Sequence, residues 1–552
     1  MKERFMLRDQ FDSYEDFKAN YQVRVPDRFN YAYDVVDAWA QEQPDRLALI
    51  WCDDEGTELR YSFEQIRRLS NQAARFFLAH GIGKGDRVMM MLRRRWEFWI
   101  CCLGLMKIGA IIIPASNQLT TKDIVYRCNT ARVKMLLAIG EPDLMRYVDE
   151  AMPQCATVVS RALIGPETPG WIDLDGELAA MSDQFTRPTG EADTRTDDVM
   201  LIYFTSGTTG MPKMVAHEYE YPLGHMVTAG FWHQVVDGGL HYTASDSGWA
   251  KFGWGCFYGQ WICGTALLGY DMEKFHPDRL LAVVTKYRPT TFCVPPTIYR
   301  FMLREDLSQY DLSSIRHFST AGEPLAPEIN EQWFRATGKH IYEGMGQTES
   351  SVMMGNFQWF EPRPGSMGKP SPLYDIALIN ENGEVCGVGE EGEVVVRGVA
   401  EHHPVGLFHG YYTQDGRIVT PWRDGDYHTG DMAWMDEDGY YWFVGRNDDM
   451  IKCSGYRIGP FEVESALLKH PAVLECAITG EPDPLRGQVV KATIVLAPGY
   501  TGSDALVKEI QTFVKHNTAP YKYPRRVAFV DRLPKTTSGK ISRVQIRNAQ
   551  PQ

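Results

Sequence analysis

The sequence predicts a layered α/β protein with substantial parallel sheet, followed by a small α+β domain. Three observations carry this. A chain of 552 residues is too long for one hydrophobic core, so two or more domains are expected. From about Asp45, strand-like runs alternate with helix-length patterns, as in strands joined by helical crossovers. After Gly445 the pattern restarts over about a hundred residues, a common domain size.

Each element can be justified in order. RVMMML (87–92) reads as a strand, and the Trp- and Leu-rich stretch after it as a helix. Trp99 to Ile113 is the most apolar stretch, but it is shorter than a bilayer span and contains Lys107. It reads as a buried helix running into the strand AIIIPA (110–115). VMLIYF (199–204), TTFCVPP (290–296) and IRHFSTAG (315–322) are further strands, and Pro327 to Thr337 is a helix. Past Gly445, a helix is expected near 460–469, strands near 473–479 and 488–496, a helix near 503–516 and a strand near 526–530. No Gly/Ser linker precedes this unit. The joint falls in GRNDDM (445–450), dividing the chain into 1–447 and 448–552.

Composition narrows the function classes. The 44% apolar and 23% charged content is that of an ordinary globular enzyme. A balance of 57 − 71 = −14 argues against coating nucleic acid. Arg93-Arg94-Arg95 reads as a solvated helix face. Eleven scattered cysteines, with one adjacent pair and no CxxC, suggest reduced cytoplasmic thiols, not a disulfide frame or zinc site. The N-terminal MKERFMLRDQFDSYEDF is too charged for a signal peptide. A soluble cytoplasmic protein is expected, with no membrane span.

The chemistry-bearing motifs begin with YFTSGTTGMPK (203–213). Thr205, Ser206, Gly207, Thr208, Thr209 and Gly210 follow a strand. Glycines let backbone N–H groups turn inward, hydroxyls donate further hydrogen bonds, and Lys213 can neutralise anionic charge, so the loop suits a polyphosphate. It is not a Walker loop, because Pro212 precedes the lysine and Met214 follows it. Gly387, Gly389 and Gly392 spell GxGxxG, but the strand-like EVVVRG follows where a dinucleotide site needs a helix, so a hairpin turn is expected. STAGEPL (319–325) could lay backbone against a flat base, and Glu349 in YEGMGQTES (342–350) could hold Mg²⁺ through one oxygen. Asp431 in YHTGD (427–431) suits vicinal ribose hydroxyls. GRNDD (445–449), SGYRIG (454–459) and PKTTSGK (534–540) complete the set. The hydrolase signatures GxSxG and HExxH are missing.

In this order the motifs resemble the adenylate-forming superfamily of acyl-CoA synthetases, luciferases and peptide-synthetase adenylation domains, over residues 35 to 547. FTSGTTGMPKMVAHEY, SDSGWAKFGW and EGMGQTE are most similar to medium-chain acyl-CoA synthetases, in which Met214 and His428 also have counterparts. The resemblance implies a large αβαβα N-terminal domain and a mobile C-terminal one. It implies that Thr205 to Lys213 grip the ATP phosphates, that Gly322, Glu323 and Pro324 with Tyr342, Glu343, Gly344 and Met345 frame the adenine, and that Thr348 and Glu349 lie at phosphate and Mg²⁺. Asp431 and Arg446 would hold the ribose, and Arg457 would face the α-phosphate. Lys540 would bridge carboxylate and α-phosphate, making Lys540, Thr205, Lys213 and Glu349 the catalytic set. Asp448 matches the hinge and Gly455 the path of CoA. Trp232, Trp249, Lys251, Trp254, Cys293 and Gly346 match the acyl-binding segments.

The implied reaction joins a carboxylic acid to CoA through an acyl-adenylate, releasing AMP and pyrophosphate. Acetate-specific relatives carry a tryptophan before Gln-Thr-Glu, where this chain has Gly346, so the pocket is expected to open past two carbons. Trp232 and Trp254 would wall its far end, favouring medium or branched short chains. Adenylation enzymes serving a separate carrier protein, luciferase-type oxidases and a non-catalytic nucleotide or acyl sensor share the motifs. Retention of Lys213, Glu349, Asp431 and Lys540 speaks against the sensor.

Overall fold

The computed structural model describes residues 1–205, 211–453, 456–536 and 540–549, which form three sheets. In the first, six strands run parallel in the order Val199–Thr205, Ile111–Pro114, Arg87–Met91, Met135–Ile139, Ser160–Ile164 and Ile172–Asp173. The second has a parallel run of Ile341–Met345, His317–Thr320, Thr291–Cys293, Leu240–Thr243, Ala266–Asp271 and Leu47–Asp53. It continues antiparallel beyond Ile341–Met345 through Met354–Gly355, Ser366–Pro370 and Tyr441–Arg446. Strands buried on both faces need unbroken apolar runs, which is why MLIYF and VMMM stand out in the sequence.

Between the sheets runs the helix Glu97–Ile108, buried at every position. It ends where Gly109 takes a φ of 74°, the left-handed turn that glycine adopts without strain. Its buried Lys107 donates to Asp37 Oδ1 at 2.8 Å and Asn71 Oδ1 at 2.6 Å, which compensates the lost water. The expected helix and following strand are both present here. The arginine triplet, however, is not a solvated helix face. Arg93 sits in the preceding turn and clasps Asp271 at 2.6 and 2.8 Å and Glu141 at 3.0 Å. Arg94 donates to Tyr270 O at 3.0 Å, and Arg95 pairs with Glu97 at 2.7 Å. These charges tie the end of one sheet to a strand of the other.

The GxGxxG glycines lie in the connection between Ile376–Ile379 and Gly392–Val396, an antiparallel hairpin as expected. All eleven cysteines are buried and unpaired. Among the described residues no helix is long and apolar enough to cross a membrane.

The C-terminal unit contains the strands Tyr456–Ile458, Ile451–Cys453, Gly487–Leu496 and Val473–Asp483, with Arg526–Phe529 parallel to Gly487–Leu496. Helices Pro460–Leu468 and Asp504–Asn517 cover it, and its core runs from Ile451 to Val514. The join is one tight turn, Asn447–Asp449. Asp448 reaches back to Arg446 at 3.6 Å, whereas Asp449 pairs forward with Arg547 at 2.8 Å. Across the interface, Lys469 meets Glu328 at 2.8 Å and Arg300 Nη1 donates to Leu474 O at 3.3 Å.

Candidate functional site

Parallel sheets expose a crevice at the carboxyl ends of their strands, and the predicted residues gather there. Cys293, Thr320 and Met345 end adjacent strands of the second sheet. Gly322, Glu323 and Pro324 follow one of these ends, and Gly346, Thr348 and Glu349 another. Gly322 has a φ of 101°, a conformation that a side chain would strain. Glu323 Oε2 accepts from Thr297 Oγ1 at 3.2 Å. Lys251, at the start of the helix Ala250–Cys256, donates to Ala321 O at 2.8 Å.

Thr205 ends its strand paired in antiparallel register with Lys213 of the next strand. Ser206, Gly207, Thr208, Thr209 and Gly210 lie outside the described residues, as does Gly455. Lys213 Nζ lies 4.6 Å from the centre of the Tyr411 ring, and Tyr411 OH donates to Glu349 Oε1 at 3.1 Å. Burial raises the Glu349 carboxyl above its ordinary range.

A second group forms around Asp431. Gln347 Nε2 donates to Asp431 Oδ2 at 2.6 Å and to Thr429 O at 2.9 Å, and Tyr427 OH donates to Gln347 Oε1 at 2.7 Å. Arg446 Nη1 reaches Asp431 Oδ1 at 3.1 Å. Burial raises Asp431, opposed by Arg446, Gln347 and the charge of Lys540. Burial likewise lowers Lys251, and Lys540 adds to that lowering. Lys540 itself is exposed. Thr536 N donates to Lys540 O at 2.7 Å.

Three predicted residues sit otherwise than expected. Glu343 turns into the core, where Leu325 N donates to its Oε1 at 3.2 Å and burial pushes it up to about 8. Its carboxyl braces the turn after Pro324 and does not line the crevice. Arg457 pairs with Glu381 and donates to Asn447 Oδ1 at 3.1 Å, beside Arg446. Gly346 leaves no open space: a Cβ there would lie 2.3 Å from Trp254 Cη2 and 2.7 Å from Ser351 O. The indole of Trp254 already occupies the volume that the missing side chain vacates.

Trp232 is fully buried against Gly344, and its ring meets that of Trp254 edge to face at 6.1 Å. Cys293 is buried, while Trp249 and Lys251 are half-buried at the crevice. The sequence reading missed Tyr411, Tyr427 and Gln347. Gln347 lay inside a quoted motif; Tyr411 comes from a distant segment and carries no local signal.

The profile described as AMP-binding enzyme matches residues 36–412, and that of the AMP-binding enzyme C-terminal domain matches 462–540. Acyl-coenzyme A synthetase ACSM3, mitochondrial, of Mus musculus is 41% identical over 547 residues, covering 97% of this chain and 93% of the relative. Acyl-coenzyme A synthetase ACSM5, mitochondrial, of Homo sapiens is 40% identical over 534 residues, covering 95% and 91%. Among solved structures, the anthranilate CoA ligase AuaEII in complex with anthranoyl-AMP superposes with a TM-score of 0.85 at 27% identity, over 95% of this chain and 98% of the other. The Brucella canis acyl-CoA synthetase gives 0.72 at 30% identity, over 98% and 99%.

Proposed function

Because the chain belongs to the AMP-binding enzyme family, we propose that it is an ATP-dependent acyl-CoA synthetase, an AMP-forming acid–thiol ligase. A carboxylate is a poor acyl donor because its oxygen leaves badly. Its attack on the α-phosphorus of ATP forms an acyl-adenylate and expels pyrophosphate; the CoA thiol then displaces AMP.

Two anions must meet in the first step, so positive charge at the reacting atoms is decisive. The observation that supports the reading is the crevice itself, where Lys213 lies beside Tyr411 and Glu349 and Asp431 is held by Gln347 and Arg446; Lys540 would supply the charge from the C-terminal unit. The hairpin ending at Thr205 and Lys213 receives the phosphates, and the backbone of Gly322 to Pro324 and Tyr342 to Met345 frames the base. Asp431, oriented by Gln347 and Arg446, accepts from the ribose hydroxyls. Glu349 fits an Mg²⁺ ligand, because among the described residues it has a tyrosine hydroxyl but no Lys or Arg ion pair. Bound there with the nucleotide, the ion would offset charge on the leaving pyrophosphate.

The second step asks mainly for positioning. Movement about Asp448 withdraws Lys540 and opens the path of the thiol past Gly455. The placement of Asp448 and Asp449, one paired backward and the other forward, supports a boundary between 1–447 and 448–552. The acid is a medium-chain or branched short-chain one, and the Trp254 wall favours the compact end of that range. The compartment is a reducing one, as the unpaired cysteines suggest. The cytoplasm is our reading, and the mitochondrial names of the relatives supply the alternative that cell fractionation decides.

One assay tests the assignment. Acid-dependent AMP release should require CoA, with acyl-CoA formed in equal amount. Release that is indifferent to CoA, or that needs a carrier protein, would sink it.

A further inference from the structure

A second cluster of ionisable groups lies outside the crevice, beside the strand Lys213–Glu218. His403 and His409 stack with ring centroids 3.7 Å apart. His409 Nε2 stands 3.2 Å from Glu218 Oε2 and 3.3 Å from Glu220 Oε1, and His403 Nδ1 stands 3.9 Å from Glu220 Oε1. Among the described residues, neither glutamate pairs with a lysine or arginine.

We propose that Glu220, His403 and His409, with Glu218 as a fourth donor, form a site for one divalent transition cation of the Zn²⁺ type. The donor set points to that class: imidazole nitrogens with carboxylate oxygens suit Zn²⁺, whereas Mg²⁺ and Ca²⁺ take oxygen ligands. Spacing agrees. A tetrahedral ion about 2.0–2.1 Å from each ligand separates neighbouring ligands by roughly 3.3–3.4 Å. The two contacts of His409 already have that length, and a turn of the His403 ring brings in the third.

The tautomer of His403 is the independent sign. Its Nε2 lies 3.2 Å from Phe408 O, a carbonyl that can only accept, so this nitrogen carries the proton. Nδ1 is then a bare lone pair, buried without a hydrogen-bond partner and facing a carboxylate oxygen. Two lone pairs facing each other call for a cation between them. The hydrogen bond from the far nitrogen to a backbone carbonyl is also how metal-binding histidines are usually oriented. The sequence reading expected no zinc site, because it looked for ligands only among the cysteines.

Such an ion would act from behind the crevice. His217, next to Glu218, bonds Thr348 O at 2.8 Å, and Phe408 N, next to His409, donates to Glu349 O at 2.8 Å. Holding these two segments together would fix the backbone that presents Thr348 and Glu349.

The full-length protein, stripped with a chelator, should be titrated with Zn²⁺ against a chromophoric competitor, and the loaded protein examined by X-ray absorption. We expect one ion per chain, imidazole scattering in its first shell, and a thermal transition that rises with Zn²⁺. Glu220→Gln and His409→Gln should each weaken binding at least about 100-fold, because one ligand is lost while all eleven cysteines remain. Equal affinity in the wild type and both variants would overturn the site, as would no binding at micromolar Zn²⁺. Should a variant fail to fold, a wild-type absorption spectrum without imidazole overturns it alone. Binding that competes with protons alone, with no ion retained, would assign the cluster to a shared proton instead.

Discussion

Lys540 is exposed in the C-terminal unit, and the proposed reaction gives it one step only. Lys540→Ala should abolish acyl-adenylate formation, a loss of ~3 kcal/mol or more for one preorganised charge. Thioester formation from supplied acyl-adenylate should be spared; equal loss in both half-reactions would refute the assignment. Glu343 makes a different prediction, about stability. Burial lifts it from 4.5 to about 8, so within that window the folded state holds a proton that the unfolded chain releases. Stability from this group is greatest below 4.5 and falls as pH rises towards 8. Glu343→Gln keeps an acceptor for Leu325 N and removes the titration, so its melting temperature should gain on the wild type between pH 5 and 8. Parallel melting curves across that range would show that Glu343 titrates normally.

The contact between Trp254 and Gly346 belongs to the packing of a helix against a strand end. Residues 92 positions apart share no local pattern, so the sequence showed the missing side chain at 346 but not the indole that fills its place. Gly346→Ala should cost about 1–3 kcal/mol through overpacking and depress turnover, measured by melting and by kcat/KM. Trp254→Leu should recover part of that loss and shift preference towards longer acids, each buried CH₂ adding about 0.8 kcal/mol. An unchanged chain-length profile in Trp254→Leu would remove it as the pocket wall. The same contrast explains what was legible. Buried parallel strands announce themselves as apolar runs, and site loops as glycine and hydroxyl clusters after them. The Arg93–Arg95 turn looked like a charged surface because its partners, Asp271 and Glu141, are remote in sequence. Strands as short as Met354–Gly355 leave no pattern to read.

At the scale of the molecule, the two units meet through ion pairs such as Lys469–Glu328, apolar contacts of Leu468 and of Phe461 with Phe443, and a single turn. Interfaces between domains of one chain permit relative motion unless they are large and hydrophobic. Asp448→Pro would fix φ near −65° and restrict Asn447 as well, so only one arrangement should tolerate it. One half-reaction should survive and the other be crippled, each followed separately. Unchanged overall turnover would remove Asp448 as the hinge. The two-unit division was legible because the motif pattern restarts after Gly445. How the two units dock was not, because nothing local in the sequence distinguishes one docking of the same surfaces from another.

In the division proposed above, the turn at Asn447–Asp449 is, among the described residues, the covalent crossing between two units that each have a core of their own. It therefore works as a tether, holding Lys540 at an effective concentration of the order of millimolar near its target, as short linkers do. Cut there, the lysine would have to arrive from solution. Fragments 1–447 and 448–552, produced separately and mixed, should restore adenylate formation in proportion to the concentration of the smaller piece. Half-maximal recovery would then measure how strongly the two surfaces attract each other once the tether no longer does it for them.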